Sequence, residues 1–468
     1  QGQIATIPVR REPVAAALSP NGTRLFVANL LPVGRADGDY IAAEVSVIDT
    51  AAKKVIASIQ LPNGSTGLRG LCFSPGGRYV YVTHTLSRYQ MPTTQLERGW
   101  MNTSALSIID TAKCEWLNTV LLDDVDLGAA NPWGVACTSD GKYICVAHAG
   151  THEISVIDRA KLHDKLAKVA AGEKVSSVSL TAADVPNDLA FLVDLRRRIK
   201  LDGNGPRGLA IVGSTVYVAE YFSDSLGILN LSAGPESEAE TLALGPKEQL
   251  TVVRRGEMLF HDATICFQHW QSCASCHPED SRPDGLNWDL LNDGLGNPKN
   301  TKSLLLAHKT PPSMSLGVRD TAETAVRAGI THILYSVRPE EEAQAIDEYL
   351  KSLQPVPSPY LVNGKLSAAA ERGQKIFNQT GCAECHPAPL YTDLQSHDIG
   401  TGKLMDKGKA FDTPTLVEVW RTAPYLHDGR AATMKELLSE HNPAEAHGKT
   451  AGLAEEQIDD LVEFVLSL

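Results

Sequence analysis

Two short cysteine motifs place the strongest constraint on how this chain of 468 residues can fold. One is Cys273-Ala-Ser-Cys276-His277 and the other is Cys382-Ala-Glu-Cys385-His386. In this spacing two thiols can add to the vinyl groups of one porphyrin, and the adjacent histidine can reach its iron. A redox or zinc Cys-x-x-Cys beside a chance histidine could explain one copy, but two copies favour c-type haem. The sequence therefore predicts two covalent haem c groups, with the motif histidines His277 and His386 as iron ligands.

The haem motifs also indicate where the protein works. Haem c is attached outside the cytoplasm, so we expect an exported protein, periplasmic or at the cell surface, with Gln1 as a processed start. Five cysteines lie outside the motifs, an odd number that cannot pair completely within the chain: Cys72, Cys114, Cys137, Cys145 and Cys266. Cys137 and Cys145 flank a turn and could form a disulfide across a hairpin in an oxidising compartment. Buried free thiols are the alternative.

The charge balance narrows the range of partners. The chain has 56 acidic and 43 basic residues, a net charge of −13. This acidic balance argues against nucleic acid or anionic membrane as the main partner. No segment approaches the roughly 18 apolar residues of a membrane-spanning helix. We therefore expect a redox partner protein, such as a small cytochrome or a cupredoxin.

A β-strand pattern recurs four times before residue 240. Each copy has a turn rich in Gly, Pro or Asp, then two alternating strands, which are the marks of antiparallel sheet. The strand pairs are 24–29 with 45–50, 79–84 with 106–111, 143–148 with 154–159, and the degenerate 216–220 with 226–231. Recurrent units of this kind predict an all-β propeller over residues 1–245.

One position of the repeat carries polar residues in all four copies. It is occupied by Asn29, His84, His148 and Glu220. Because equivalent positions in successive blades surround the propeller axis, His84, His148 and Glu220 could bind a transition metal. The alternative is that these residues make hydrogen bonds within the channel.

The second half has a helical pattern and is duplicated. Residues 255–260 and 372–377 are matching helical segments, each of which precedes a haem motif. Each copy closes with an amphipathic helix, and a proline-rich linker at 355–359 separates them. The sequence therefore predicts two mostly α-helical cytochrome c domains, at 246–356 and 357–468, behind the propeller.

The duplication also points to further iron ligands. Residues 300–312 parallel 412–424 without a gap, and each copy then enters a helix with one histidine near its end. These histidines, His332 and His441, are the leading candidates for the sixth ligand of each iron. His308 and Met314 are rivals at the first haem.

Two known families resemble parts of this chain. The strand Tyr81-Val82-Thr83-His84 is similar to the repeat of the YVTN propellers, which usually have seven blades. The segments Thr413–Leu416 and Thr422–Gly429 resemble the C-terminal haem domain of bacterial dihaem cytochrome c peroxidases and of the related enzyme that forms tryptophan tryptophylquinone. This second resemblance covers roughly residues 250 to 468.

The peroxidase resemblance implies ligands around the second haem. The position of the family's axial methionine or tyrosine is occupied here by His441, which implies an iron held by His386 and His441. Two imidazoles lower the reduction potential relative to a His/Met pair. The family's calcium ion, held by one side chain and two carbonyls, would match Asn300, Thr422 and Pro424, and oxygen ligands suit calcium.

The first haem departs from the family pattern. The distal Gln is missing from the matching helix, Tyr335 lies near the position of the distal Glu, and the bridging tryptophan expected near Leu316 is absent. These departures weaken the case for ordinary peroxide reduction, although Trp288 could still line the first pocket. His332 is then either a sixth ligand or a tentative catalytic acid or base beside an open iron.

The remaining histidines are expected to play supporting roles. His427 is predicted to lie near the haems without binding iron. Surface or supporting positions are predicted for His269, His397 and His447.

Three hypotheses follow. The first is a peroxidase-like oxidoreductase that passes electrons between two haems. The second is a non-enzymatic electron-transfer cytochrome whose propeller is a docking or metal-binding platform. The third is a metal-sensing or scavenging surface protein that uses the propeller histidines.

Overall fold

The computed structural model describes residues 2–91, 101–234, 237–246, 249–290, 296–442 and 444–468. Its first half is built of strands and its second half mainly of helices, so the predicted order of an all-β part followed by a mostly helical part is confirmed. The first sixteen strands are β1 (Pro13–Leu18), β2 (Arg24–Asn29), β3 (Glu44–Asp49), β4 (Lys54–Gln60), β5 (Ser65–Phe73), β6 (Tyr79–Ser87), β7 (Asn102–Asp110), β8 (Glu115–Leu121), β9 (Pro132–Cys137), β10 (Tyr143–His148), β11 (Glu153–Asp158), β12 (Arg196–Lys200), β13 (Pro206–Val212), β14 (Thr215–Glu220), β15 (Ser225–Asn230) and β16 (Glu240–Ala243).

These strands form four antiparallel sheets of four strands each. In every sheet the strands are neighbours in chain order, from β1–β4 through β5–β8 and β9–β12 to β13–β16. Tight turns make it possible for successive strands to pair with each other. Gly22 at the first turn has a φ of 71°, and the side chain of Asn21 accepts the backbone N–H of Thr23 at 3.2 Å. The four sequence repeats therefore correspond to four meandering sheets.

Neighbouring sheets pack through their first strands and through apolar cores. β5 lies against β1 and β9, and β9 also lies against β13. A side chain at Gly70 would overlap the carbonyl oxygen of Trp133, and one at Gly134 would overlap that of Arg207. Glycine is therefore required where these strands approach. Outside this contact, Val45 and Val47 of the first sheet pack in one core with residues of the second.

The helical half consists of two lobes built alike. Helix α1 (Arg159–Ala170) lies outside these lobes, between β11 and β12 of the third sheet. The helices of the lobes are α2 (Val252–His261), α3 (Cys273–Cys276), α4 (Pro278–Ser281), α5 (Ala322–His332), α6 (Glu340–Ser352), α7 (Ala368–Gln379), α8 (Cys382–Cys385), α9 (Met434–Ser439) and α10 (Glu455–Leu466). Two-residue strands complete the lobes: β17 (Asn287–Trp288), β18 (Lys299–Asn300), β19 (Ser396–His397) and β20 (Phe411–Asp412).

The same helix crossing defines both lobes. In the first lobe α2 packs on α6, and in the second lobe α7 packs on α10. At each crossing a glycine, Gly256 or Gly373, lies so near a carbonyl of the partner helix that a Cβ would overlap it. None of the helices in the described ranges has the length and apolarity that crossing a bilayer requires.

The close approach of the first strands can be tested with one methyl group. We expect Gly70→Ala to lower the free energy of unfolding by about 1–3 kcal/mol, because the Cβ must displace the backbone of the next sheet. Gly76→Ala is the matched control, since open space surrounds that glycine. Chemical denaturation of both variants measures the difference, and equal stabilities would contradict the packing described here.

Candidate haem sites

Each haem motif is one helical turn. The backbone N–H of His277 donates to the carbonyl of Cys273 at 3.0 Å, and that of His386 donates to Cys382 at 2.9 Å. Residues three apart on such a turn share a face, so the two thiols of each motif project from the same side. None of the four motif cysteines takes part in a disulfide, so each thiol can serve haem attachment. The geometry therefore fits attachment of one porphyrin to each motif.

The motif histidines are oriented with one ring nitrogen available. Nδ1 of His386 pairs with the carbonyl of Tyr391 at 2.8 Å, which leaves Nε2 to bind a metal. Burial lowers the pKa of His386, although the carbonyl of Tyr391 opposes this shift. Burial likewise lowers the pKa of His277 to about 4, and there the carbonyl of Lys302 opposes the shift. Both imidazoles are therefore neutral at pH 7, as metal ligation requires.

The first motif lies beneath the sheets. Asn131, just before β9, donates to the Ser272 hydroxyl at 2.8 Å and accepts from Ser275 at 2.9 Å. Asn102, the first residue of β7, donates to Sγ of Cys276 at 3.4 Å. Burial raises the pKa of Cys273 to about 12. The second and third sheets thus supply polar contacts to the first motif.

An arginine fixes the loop that carries Asn131. Arg198 on β12 donates to the carbonyls of Leu127 at 2.8 Å and Gly128 at 2.6 Å. It also bonds to the carboxylates of Asp124 at 2.8 Å and Glu153 at 2.8 Å. The sequence analysis missed this residue, although the basic run 196–198 beside a strand was a visible signal. Arg198 positions the loop without approaching the motif itself.

The wall of the first site is mainly apolar. A buried cluster includes Tyr89, Met101, Leu286 and Trp288, and Cys276 packs against it, as do Leu290, Ile333 and Tyr335. The Trp288 indole donates to the buried carboxylate of Asp284 at 2.8 Å. Burial raises the pKa of Asp284 to about 6. Trp288 thus belongs to the apolar cluster against which Cys276 packs, and its lining of the first haem pocket stays a prediction.

The structure places the two predicted sixth ligands apart from the motif rings. His332 is the last residue of α5 and is exposed. His441 follows α9 and is half-buried, with its backbone N–H on the carbonyl of Glu436 at 3.1 Å. Among the described residues neither ring makes an aromatic contact with His277 or His386. The rival His308 is engaged elsewhere, since its Nε2 lies 3.2 Å from a carboxylate oxygen of Asp347.

A different histidine faces the second motif. The ring centroid of His447 lies 6.4 Å from that of His386, with 45° between the ring planes. Asn442 holds the loop: it accepts the His447 backbone N–H at 2.9 Å and donates to the carbonyl of Gly448 at 2.8 Å. His447 therefore adjoins His386, a contact that the predicted surface or supporting position did not specify. The loop fold, rather than helical spacing, brings His447 to His386.

The sequence of this chain is similar to those of several known proteins. Residues 370–468 match the family model "Cytochrome c". Hydrazine synthase subunit gamma of Kuenenia stuttgartiensis is 32% identical over 275 residues, covering 46% of this chain and 77% of that subunit. Methylamine utilization protein MauG of Methylorubrum extorquens is 26% identical over 253 residues, covering 40% of this chain and 68% of the relative. The chain belongs to the dihaem cytochrome c peroxidase superfamily.

Membership of this superfamily makes the chain a haem-based redox protein that carries covalent haem c. Hydrazine synthase subunit beta of K. stuttgartiensis is also similar, at 28% identity over 219 residues. That match covers 46% of this chain and 53% of the relative, so the chain spans about half the length of that subunit.

Two of the three residues predicted to bind calcium lie near each other. Asn300 and Pro424 both adjoin Gly429. The Asn300 amide nitrogen donates to Oδ1 of Asn287 at 3.0 Å, so its oxygen is the atom left for a cation. The carbonyls on either side of Thr422, those of Arg421 and Ala423, accept from the guanidinium of Arg11. Calcium binding by Asn300, Thr422 and Pro424 stays a prediction.

Outside the superfamily's region, the three residues predicted to bind a metal in the sheets do not form a cluster. His84 pairs with Ser107 at 2.8 Å, His148 with Ser155 at 2.7 Å, and Glu220 accepts from Ser225 at 2.5 Å. Each serine belongs to the next strand of the same sheet. Among the described residues, the group of three possible metal-ligand atoms that lie within 4.8 Å of one another belongs to Cys385, Asp393 and His397, at the second haem motif. The hydrogen-bonding alternative therefore describes the sheet residues better.

A buried neutral histidine predicts a pH dependence. Burial lowers the pKa of His84 to about 4, against about 6.5 in an unfolded chain. The unfolded chain therefore binds a proton first, and stability is lost as the pH falls from about 6.5 to 4. Between pH 7 and 4 we expect wild type to lose about 3 kcal/mol more than His84→Gln, measured by denaturant unfolding.

Chelator treatment provides the control for this measurement. If His84 is held by hydrogen bonds alone, a chelator should leave the pH-dependent stabilities of wild type and His84→Gln unchanged. A chelator that destabilises wild type but not the variant would restore the metal-site interpretation.

Proposed function

We propose that this chain is an exported dihaem oxidoreductase of peroxidase-like type, with one relay site and one reactive site. The cysteines of the motif turns would hold both haems, and bound haem supplies one-electron redox chemistry. The proposed parts are a four-bladed propeller over 1–245, a first haem domain over 246–356 and a second over 357–468. The substrate class is a peroxide, whose reduction to water takes two electrons and two protons per molecule.

The facing rings of His386 and His447 carry this proposal. Metal–imidazole bonds are roughly 2 Å long, and a ring centre lies about 1 Å behind its nitrogen. Two imidazoles that bind the same metal can therefore have centroids about 6 Å apart, and the observed separation is 6.4 Å. His447, in place of His441, would thus hold the second haem iron together with His386. Two imidazoles favour a low potential, which suits a relay rather than a final electron acceptor.

The first site supports the reactive role. His277 has no aromatic ring contact with another histidine in the part of the chain that the structure describes. Asn102 and Asn131 contact this motif from the sheets, and the apolar cluster that includes Trp288 and Met101 packs against Cys276. His332, at the end of α5, is proposed as the acid or base that reaches the substrate. Because the distal Gln and Glu of the superfamily are missing, we expect slower proton delivery than in ordinary peroxidases.

The sheets are proposed to bind the redox partner. Four meanders that pack through their first strands favour a propeller, a fold that offers loop-lined faces to other proteins. The first and second lobes meet at β17–β20, where the N–H of Asn300 donates to the carbonyl of His427 at 2.7 Å. The proposed calcium ion would lie beside this contact. A small cytochrome or cupredoxin is the partner class proposed.

The ligand assignment predicts distinct electron paramagnetic resonance spectra. We expect His447→Ala to convert one low-spin ferric signal of the oxidised protein to high spin, because the iron loses an imidazole. His441→Ala is the matched control and should leave that signal low-spin. Added imidazole should restore the low-spin signal in the His447 variant. The opposite pattern, with loss of low spin only in His441→Ala, would return the assignment to His441.

The reactive site is tested on wild-type protein. A high-spin ferric signal that hydrogen peroxide perturbs, while the low-spin signal persists, would support the peroxidase-like function. Two low-spin signals that are inert to peroxide would contradict it and would favour an electron-transfer cytochrome.

A further inference from the structure

Two cysteines from neighbouring sheets lie in contact. Cys72 is on β5 and Cys137 is on β9, the first strands of the second and third sheets, and their Sγ atoms are 3.8 Å apart. Both thiols pack against the apolar core that these two sheets share, which includes Leu106, Ile144 and Val146. The two thiols are hydrogen-bond partners, and either can be the donor. The two sulfurs therefore face each other across the boundary between sheets.

The register of the third sheet excludes the pairing that the sequence suggested. On β9 and β10, Cys137 lies opposite Ile144, and Cys145 lies opposite Ala136. Because successive side chains of a strand point to opposite faces, Cys137 and Cys145 lie on different faces of the sheet. Cys145 packs with Ile154 and Val216 towards the fourth sheet. The hairpin disulfide between Cys137 and Cys145, one of the two alternatives that the sequence left open, is therefore excluded.

We propose that Cys72 and Cys137 form a disulfide that links the second and third sheets. The inference rests on the proposed export of the protein, since disulfides persist in oxidising compartments. In this step two S–H bonds break and one S–S bond forms. Two electrons and two protons pass to a disulfide oxidant, which becomes two thiols. Three cysteines outside the haem motifs then remain unpaired, which agrees with their odd number.

The link would stabilise the surroundings of the first haem motif. Asn102 belongs to the second sheet and Asn131 leads into the third, and both bond to the segment 271–276. A covalent tie between Cys72 and Cys137 would join the sheet that contains Asn102 to the sheet that Asn131 precedes. The hydrogen bond to Cys137 and burial raise the pKa of Cys72. A formed bond in this position would exchange slowly with external thiols, because a thiol of raised pKa is a poor leaving group when an external thiolate attacks the disulfide.

Peptide mapping of the full haem-loaded protein tests the proposal without any variant. The protein, exposed to oxidised glutathione, is alkylated under denaturing conditions without reductant, then digested and analysed by mass spectrometry. We expect a linked pair of peptides containing Cys72 and Cys137, lighter by two hydrogens than their sum, and alkylated Cys114, Cys145 and Cys266. Alkylation of both Cys72 and Cys137, or a link from either to another cysteine, would overturn the inference.

Two serine variants separate the link from general damage. Cys72→Ser should leave Cys137 open to alkylation and lower the unfolding temperature by about 5 °C, because the cross-link no longer restricts the unfolded chain. Cys114→Ser is the matched control and should keep the linked peptide. Ferric spectra recorded on the same samples distinguish the two proposals. Normal spectra with free Cys72 and Cys137 would overturn the disulfide and leave the proposed function in place.

Discussion

The hydrogen bonds of Asn131 with Ser272 and Ser275 tie the two halves of this protein together at the first haem motif. They are buried and use both the oxygen and the nitrogen of one amide, so each partner would be costly to leave unpaired. Arg198 holds the loop that presents this amide by bonding to two of its carbonyls. The environment of the first motif therefore depends on the correct assembly of the sheets, although both cysteines lie in the helical half.

The two haem lobes show how a duplicated sequence acquires different surroundings. Both lobes share the glycine-mediated helix crossing and the one-turn motif, so the frame is the same. The first motif is covered by sheets and walled by Trp288 and Met101. The second lies nearer the surface and receives His447 from a loop closed by Asn442. The two lobes thus share a backbone arrangement but surround their motifs differently, which agrees with the reactive and relay sites proposed above.

The polar interior of the sheets has a structural cause. Residues such as His84 and His148 are fully buried, and a buried imidazole must find a hydrogen-bond partner. Serines on the next strand supply it within each sheet. Equivalent sequence positions thus took equivalent local partners instead of converging on one ion. The same packing of first strands that required Gly70 also brought Cys72 to Cys137.

The sequence by itself determined the haem motifs, the duplicated helical lobes and the four strand repeats, because each follows from local spacing along the chain. It could not determine which histidine faces His386, which cysteine meets Cys137 or what covers the first motif. Those depend on contacts between residues far apart in sequence: helical spacing pointed to His441, whereas the ring in contact with His386 is that of His447, which lies on a loop. Local periodicity records which face of an element is buried, whereas the identity of the group on the other side is decided only when distant elements pack.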